Sequence, residues 1–461
     1  MGQTNSPYWF FTPGRVGLSF LVVVAGMRGK KHASVSSCTG EGEMHPGTDI
    51  IRQLSYSLLA VLQDSVFLLS AYQSVMSLFG FWQRRKPLLR DPVTRFAVLV
   101  AAHNEAHVIS DVLESLARQE YPRELFDIYV VADNCTDETA DVARAHGAIV
   151  YERTDAVFIG KGHAIGWLLA CIKSTAKSYD MMAMFDADNL VSANFLREVD
   201  RYAQTGHRAI QGYLDMKNPG DTWISLSYAI GYWYTNRFWD LARSNIGLAA
   251  MLGGTGSCMA MSLVDEIGWN PHSITEDLEF TIKCVLQGVR PTWAWDAHVY
   301  DEKPLTMRAS WNQRMRWMRG HFQLGFRYSG PLWKRFFTRF DIAALDILVY
   351  ISQPIWMVFS YLLMLANIVI HFGHMAVPAW ASAGIVLPWV WVALFTLEWF
   401  APPMLVAALL LEKVKPKYWW GVFMFAVYGL TWVPLDFIAL FTRNDQTWFH
   451  TIHKQAAIPS K

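Results

Sequence analysis

The chain has 461 residues, of which 52% are hydrophobic and only 17% are charged. Soluble domains usually carry about 25% charged residues, so this balance, together with 21 Trp and 27 Phe, favours a membrane protein. The formal net charge of +1 argues against nucleic acid as a partner. Five scattered cysteines without a CxxC pair argue against a zinc site or a disulfide framework.

Residues 1–50 form an N-terminal extension with several interpretations. Tyr8–Gly26 is apolar but interrupted by proline, glycine and arginine, so it could be a signal-like segment, a first span or the product of a wrongly assigned start. The residues at 40–43 imply a purine-rich coding stretch that resembles a bacterial ribosome-binding site. We therefore expect Met44 to be an alternative start.

The first clear membrane-span signal lies at residues 54–82. Leu54–Trp82 exceeds the roughly 20 apolar residues that one crossing needs. Gln63 and Asp64 within it would be costly if they faced lipid. Three basic residues follow at 84–86 and, by the positive-inside rule, predict that the chain beyond them is cytosolic.

Residues 94–304 predict an α/β domain. Phe96–Ala102 is a continuous apolar run, typical of a strand buried on both faces, and Val108–Arg118 has helical spacing. The alternation continues with strands at Asp127–Ala132, Ala148–Tyr151 and Met181–Phe185 and helices at Thr136–His146 and Gly162–Ala176. This order predicts a mostly parallel, doubly wound sheet. Neither a GxGxxG fingerprint nor a P-loop is present.

The C-terminal third predicts helices at or in a membrane. Residues 306–335 are rich in Arg and Trp, as in an amphipathic helix at the membrane interface. Three further transmembrane helices are predicted within residues 345–441, at Leu345–Ile370, Ala383–Leu411 and Tyr418–Phe441. Residues 442–461 form a C-terminal tail.

Polar residues follow the predicted strands at the edge where doubly wound sheets bind ligands. Asn104 and Glu105 follow the first strand, Asp133 the second, and Asp186 and Asp188 the strand Met181–Phe185. On an extended segment, residues i and i+2 point the same way, so Asp186 and Asp188 would both face the site. A divalent cation there could bridge the carboxylates to a diphosphate. The alternatives are a solvated loop for Asp186 and Asp188, and helix N-terminal carboxylates for Glu105 and Asp133.

Two glycine-containing segments could approach a ligand closely. Lys161 lies next to a predicted helix N-terminus and could contact a phosphate, although an exposed loop lysine is the simpler interpretation. Gly254 and Thr255 lie in a Gly-Gly-Thr-Gly segment that allows close backbone approach or forms only a tight turn.

Glu276 and Asp277 precede the helical run Leu278–Gln287. Their role could be limited to capping that helix. However, a transferase that attacks with a hydroxyl needs a general base, for which Asp277 is the best candidate. Direct displacement would invert the anomeric centre, so a sugar α-linked to its nucleotide would give a β-linked product.

Gln313, Arg316 and Trp317 fall at i, i+3 and i+4 on one helix face. Arg316 could counter phosphate charge and Trp317 could stack on a sugar. A membrane-interface helix without a role in catalysis is the alternative interpretation.

In this order, the motifs resemble those of the membrane-integrated branch of the family 2 glycosyltransferases with the GT-A fold, which includes cellulose, chitin, hyaluronan and poly-N-acetylglucosamine synthases. The matching elements are His103-Asn104-Glu105, Asp133, Gly160-Lys161-Gly162, Asp186-Ala187-Asp188, Thr275-Glu276-Asp277 and Gln313-x-x-Arg316-Trp317. The segments around Asp133, Asp186 and Gly254 are most similar to bacterial exopolysaccharide-assembly members.

The resemblance implies a role for each matching residue. Asn104, Glu105, Asp133 and Lys161 would hold the nucleotide, typically uridine diphosphate, while Asp186 would contact the ribose–diphosphate side and Asp188 would bind Mg²⁺ or Mn²⁺. Asp277, next to Glu276, would be the base, and Gly254, Thr255, Gln313, Arg316 and Trp317 would line the donor–acceptor junction.

The function expected from the resemblance is extension of a β-linked exopolysaccharide from a UDP-sugar at the bacterial plasma membrane. One alternative is transfer of a single sugar to a lipid, and another is a non-catalytic membrane scaffold or transporter. Four or five membrane helices are few for a complete channel, so a partner subunit or homo-oligomer is expected. Thr447–Lys454 resembles the Trp-containing segments that cover the active site in polymerising relatives. The donor sugar stays open.

Overall fold

The computed structural model of the chain describes residues 46–372 and 402–445. The Met44 start, most of the predicted span Ala383–Leu411 and the segment Thr447–Lys454 therefore lie outside the described residues. The chain divides after Gln53, and all contacts given below lie within the unit that begins at Leu54.

The strands form one mixed eight-stranded sheet in the described residues, in the order β3-β2-β1-β4-β7-β6-β8-β5. Their bounds are β1 Phe96–Ala102, β2 Phe126–Asp133, β3 Ile149–Arg153, β4 Met181–Asp186, β5 Leu190–Val191, β6 Ala209–Met216, β7 Ser257–Ala260 and β8 Thr292–Asp301. Strands β1 to β4 pair in parallel, whereas β7 is antiparallel to both β4 and β6. Strand β8 pairs in parallel with β6 and antiparallel with β5.

The prediction of a mostly parallel, doubly wound sheet is therefore correct only for its first half. Strand β7 follows the Gly-rich loop and starts opposite Met184, near the carboxyl end of β4. Because it enters the sheet from that edge, it must run back antiparallel. This direction places the loop before β7, including Gly254, at the carboxyl edge of the parallel strands.

Helices and loops connect these strands and continue the chain beyond β8. Their bounds are α1 Pro46–Leu78, α2 Ile109–Ala117, α3 Thr139–Ala145, α4 Lys161–Lys173, α5 Phe195–Ala203, α6 Trp223–Thr235, a π-helical turn Asn236–Leu241, α7 Ala242–Asn245, α8 Met261–Ile267, α9 Glu276–Leu286, α10 Met307–Arg339, α11 Ile342–Phe372, α12 Pro402–Leu411, α13 Gly421–Leu430 and α14 Trp432–Phe441. Helix α3 begins three residues later than predicted, because Asp137 first accepts the N–H of Thr139 in a turn, at 3.1 Å.

Strand β1 confirms the prediction of a strand buried on both faces. Val98 and Val100 pack in one apolar cluster with α2, whereas Leu99 packs in another with α4. Each fully buried side chain of this size contributes about 1.5–3 kcal/mol by leaving water. Strand β1 therefore lies between two apolar layers, with β2 and β4 on its two sides. Asn104 and Glu105 follow it at the carboxyl edge of these parallel strands.

Helix α6 joins the α/β domain to the C-terminal helices, which the sequence did not indicate. A Cβ on Gly421 of α13 would lie 2.6 Å from Leu226 Cγ on α6. A Cβ on Gly231 of α6 would lie 3.2 Å from the Phe425 ring. The missing side chains let the two helices approach closely, so α6 is covered by α13.

In the described parts of the chain, two helical segments are long and apolar enough to cross a membrane, Ile342–Leu363 and Pro416–Phe441. The second is broken at Thr431, because Pro434 has no N–H to donate to the carbonyl four residues earlier. Length and composition alone support these spans. The predicted span Leu54–Trp82 falls largely on α1, and its membrane crossing stays a prediction.

Candidate active site

Four of the predicted site residues converge at the carboxyl edge of β4. Lys161, the first residue of α4, forms an ion pair with Asp186 and donates a hydrogen bond to the carbonyl of Gly254. A Cβ on Gly254 would lie 3.5 Å from Asp277 Oδ2 and 3.7 Å from Lys161 Nζ. The end of a strand, the start of a helix, the Gly-rich loop and the first turn of α9 therefore meet at one point.

Lys161 is a cation held among carboxylates. Burial alone would lower its pKa, but the Asp186 and Glu276 carboxylates raise it above the ordinary value. A lysine in this setting stays protonated, so it can offset an anionic ligand as well as the carboxylates around it. The structure therefore does not support the interpretation of an exposed loop lysine.

Asp186 and Asp188 lie on a tight turn, which corrects the predicted extended segment. The N–H of Asn189 donates to the Asp186 carbonyl at 3.2 Å, and the N–H of Asp186 donates to Asn189 Oδ1 at 3.0 Å. Asn189 Nδ2 also donates to Asp188 Oδ1 at 3.3 Å. The buried Asn189 side chain therefore closes the turn and holds the Asp188 carboxylate, whereas the Asp186 carboxylate pairs with Lys161.

Thr255 stabilises this turn from the protein interior. It is 4% exposed, and its hydroxyl donates to Asn189 Oδ1. Its side chain therefore lies in the interior rather than on an open face of the site. Gly254, directly before it, is the residue of the loop that reaches Lys161 and Asp277.

Asp188 sits in a concentration of negative charge. Burial, together with the carboxylates of Asp301 and Asp186, raises the pKa of Asp188 well above its usual range. Lys217 Nζ donates to the Asp188 carbonyl at 2.7 Å, and Lys303 forms an ion pair with Asp301. These two lysines offset the charge only in part.

Asp133 is tied to a buried arginine at the end of β3. Arg153 Nη1 lies 2.5 Å from Asp133 Oδ1, and Arg153 Nη2 lies 2.9 Å from Asp155 Oδ2. Asp133 is thus half of an ion pair, not a helix N-terminal carboxylate.

Asn104 and Glu105 hold the loop that follows β2. Asn104 Oδ1 accepts the N–H of Thr136 at 2.7 Å, and the N–H of Glu105 donates to Thr139 Oγ1 at 2.8 Å. These contacts join the carboxyl ends of β1 and β2 into one surface.

Glu276 and Asp277 occupy the first turn of α9. Burial and the neighbouring Asp277 charge raise the pKa of Glu276, and burial also raises that of Asp277. The positive charges of Lys161 and Arg316 oppose both shifts. Thr275 makes no side-chain cap hydrogen bond, so the capping interpretation does not account for this motif.

Helix α10 carries Gln313, Arg316 and Trp317 towards α6 and α9. Arg316 acts electrostatically on Glu276 and Asp277. The Trp317 ring packs against Tyr228 of α6, with centroids 6.1 Å apart. Gln313 Oε1 is buried and makes no hydrogen bond within the described part of the chain.

Residues 92–320 match the family described as glycosyltransferase like family 2. The chain therefore carries a family 2 glycosyltransferase domain. This confirms the family inferred from the ordered motifs.

The family 2 domain has relatives of several specificities. The chain is 28% identical over 247 residues to a beta-monoglucosyldiacylglycerol synthase of Synechocystis sp., covering 50% of this chain and 49% of that protein. It is 26% identical over 293 residues to a poly-beta-1,6-N-acetyl-D-glucosamine synthase of Staphylococcus aureus, covering 58% and 67%. The chain thus spans about half the length of the glucosyldiacylglycerol synthases that it matches.

The fold agrees with that assignment. The mannosyltransferase PcManGT of Pyrobaculum calidifontis, solved with GDP-Man and Mn²⁺, superposes with a TM-score of 0.50 at 18% identity. The match covers 80% of this chain and 99% of that one. The mixed sheet of the family 2 domain therefore has a GT-A-like fold.

Several residues of the candidate site were missed from sequence. Arg153 and Asp301 end strands, so the rule that located Asp133 and Asp186 could have found Arg153 and, once β8 was recognised, Asp301. Asn189 directly follows Asp188, but no local pattern distinguishes a buried asparagine from a loop residue. Lys217 gave no sequence signal.

Proposed function

We propose that this chain is an inverting glycosyltransferase that moves a hexosyl or N-acetylhexosaminyl group from a UDP-sugar onto a growing, β-linked exopolysaccharide. The observation that carries the proposal is the convergence of Lys161, Asp186 and Asp277 from three separate segments. It combines a cation suited to a diphosphate with a carboxylate suited to accept a proton. The family 2 domain supports a nucleotide-sugar donor.

Asp277 would act as the general base. It would accept the proton of the acceptor hydroxyl while that oxygen bonds to the anomeric carbon and the bond to the nucleoside diphosphate breaks. Burial raises the pKa of Asp277, which makes it a stronger base than an ordinary aspartate. Attack opposite the leaving group inverts the anomeric centre and gives the β-linked product.

The remaining residues would bind and orient the donor. Asn104, Glu105 and Asp133 would contact the nucleotide, with Asp133 held in place by Arg153. Lys161 and Arg316 would stabilise the charge that develops on the diphosphate as it leaves. Gln313 and Trp317 would lie at the junction with the acceptor.

The carboxylate oxygens of Asp186 and Asp188 fit Mg²⁺ or Mn²⁺ in chemistry. Asp186 and Asp188 would hold a cation of this kind, because carboxylate oxygens are the ligands that Mg²⁺ prefers in proteins, and it usually takes only one or two of them. A bound divalent cation would neutralise the diphosphate. We expect a chelator to weaken UDP binding in calorimetry and Mg²⁺ or Mn²⁺ to restore it.

A lipid acceptor is the second candidate. Trp317 packs against α6, an apolar helix that α13 covers, so the proposed acceptor side adjoins apolar helices. The glucosyldiacylglycerol synthases among the relatives support this alternative. In both cases the domain would work on the cytosolic face of a bacterial plasma membrane.

The test is a donor panel with the protein in nanodiscs. Radiolabelled UDP-sugars are offered with Mg²⁺ or Mn²⁺, and the product is sized. A polymer from one donor supports the first candidate, and an organic-extractable single-sugar product supports the second. Asp277→Asn should bind UDP but make no product. Turnover by this variant at the wild-type rate would refute the assignment of Asp277 as the base. The Thr275-Glu276-Asp277 motif would then have a role other than catalysis.

A further inference from the structure

One buried carboxylate next to the proposed base has no role in the mechanism above. The Glu279 side chain, on α9, is 1% exposed. Its Oε2 accepts the N–H groups of His272 and Ser273, at 2.7 and 3.1 Å. Its Oε1 accepts the hydroxyl of Tyr328 at 2.7 Å and lies 3.0 Å from Lys283 Nζ. Four donors thus converge on one carboxylate.

These donors keep Glu279 charged. Burial alone would raise its pKa, but the hydrogen bonds from Tyr328 and from the N–H of His272 hold the pKa below the ordinary value. An ionised carboxylate accepts stronger hydrogen bonds than a neutral group does. The ionised Glu279 therefore restrains the groups that donate hydrogen bonds to it.

The donors come from two places that matter for the proposed chemistry. His272 and Ser273 belong to the loop 268–275, which leads directly into Glu276 and Asp277. Tyr328 lies on α10, the helix that carries Arg316. One carboxylate thus links the loop before the proposed base to the helix whose Arg316 acts electrostatically on that base.

Further contacts fix the same loop. Lys283 Nζ donates to the Asn270 carbonyl at 2.9 Å, and Trp269 Nε1 donates to the Gly162 carbonyl at 2.8 Å. Gly162 belongs to the first turn of α4, next to Lys161. The loop is therefore held from α9, α10 and α4, the three helices that supply the charged groups around Asp277.

We propose that Glu279 is a positioning residue for sugar transfer: through Tyr328 and the loop 268–275, it sets Asp277 relative to Arg316 and Lys161. This inference rests on the proposed function, in which Asp277 is the general base. Glu279 itself touches no substrate. Its effect would come through geometry, since a misplacement of about 1 Å can cost roughly 100-fold in rate.

Tyr328→Phe tests this with little change in shape, and Tyr121→Phe is the matched control. Tyr121 is also buried, and its hydroxyl donates to the Thr94 carbonyl at 2.8 Å, on the other side of the sheet. We expect Tyr328→Phe to lower kcat about 10- to 100-fold with little change in the KM for the UDP-sugar. The two variants should have similar unfolding midpoints.

Amide hydrogen exchange provides a readout that does not depend on activity. Exchange at His272 and Ser273 should become faster in Tyr328→Phe and faster still in Glu279→Gln, and should stay unchanged in Tyr121→Phe. Unchanged exchange in Glu279→Gln, or a kcat of Tyr328→Phe equal to that of Tyr121→Phe, would overturn the proposal. A wild-type protein that turns over no donor would instead overturn the proposed function, and the exchange result would still decide whether Glu279 holds the loop.

Discussion

Gly320→Ala tests how closely α10 must pack on the turn that carries the proposed base. A Cβ at Gly320 would overlap the Thr275 side chain and would lie 2.6 Å from Thr275 Cγ2. Carbon atoms in favourable contact are about 3.5–4.0 Å apart. Either α10 or the turn must therefore shift by about 1 Å. Thr275 directly precedes Glu276 and Asp277, so the shift would move both carboxylates relative to Arg316.

The expected effects on stability and on rate differ. Alanine in place of glycine within a helix stabilises by about 1 kcal/mol, whereas overpacking costs about 1–3 kcal/mol. The free energy of unfolding should thus fall by no more than about 2 kcal/mol. A displacement of about 1 Å at the proposed base should lower the rate of sugar transfer roughly 100-fold.

The assay compares initial transfer rates and unfolding midpoints with those of Gly325→Ala on the same helix. There a Cβ would lie 3.5 Å from the Ile351 carbonyl oxygen, an ordinary contact. This control should gain up to about 1 kcal/mol in stability and keep its activity. If Gly320→Ala transferred sugar as fast as Gly325→Ala, the contact with Thr275 would not set the position of Asp277.

Three further changes give distinct outcomes. Arg153→Met should lower the free energy of unfolding by about 3–5 kcal/mol in denaturant titrations, because Asp133 would be left buried and unpaired. Adding Asp133→Asn should recover part of that loss, and no recovery would argue against a stabilising ion pair between Arg153 and Asp133. The kcat/KM for the donor should fall as the pH is lowered, because only the ionised form of Asp277 accepts a proton. Burial raises the pKa of Asp277, so this fall should occur at a pH above the usual aspartate pKa. A fall centred near pH ~4 would contradict this. Asn189→Ala should weaken cation-dependent UDP binding in calorimetry, since the turn that carries Asp186 and Asp188 loses the hydrogen bonds of the Asn189 side chain. Unchanged binding would show that Asn189 is not needed for the site.

The sequence located the elements whose signal is local. Strand β1 has the predicted bounds, and β4 extends the predicted strand by one residue, because a continuous apolar run identifies a strand buried on both faces without knowledge of its neighbours. The rule that ligands bind at the carboxyl ends of strands selected Asp186. Lys161 was selected by its place at a helix N-terminus, and Asp277 by the need for a general base. The structure brings these three together.

Only the tertiary structure decided the contacts between residues far apart in the chain. Nothing near Asp133 in sequence names Arg153 as its partner, and nothing near Glu279 names Tyr328, 49 residues away. The reversal of β7 and the packing of α6 on α13 likewise depend on which surfaces meet. Local patterns fix which residues are apolar, polar or charged; the partner that each buried charge finds depends on the packing of the whole chain, because a buried charge is tolerated only where the fold supplies its counterpart.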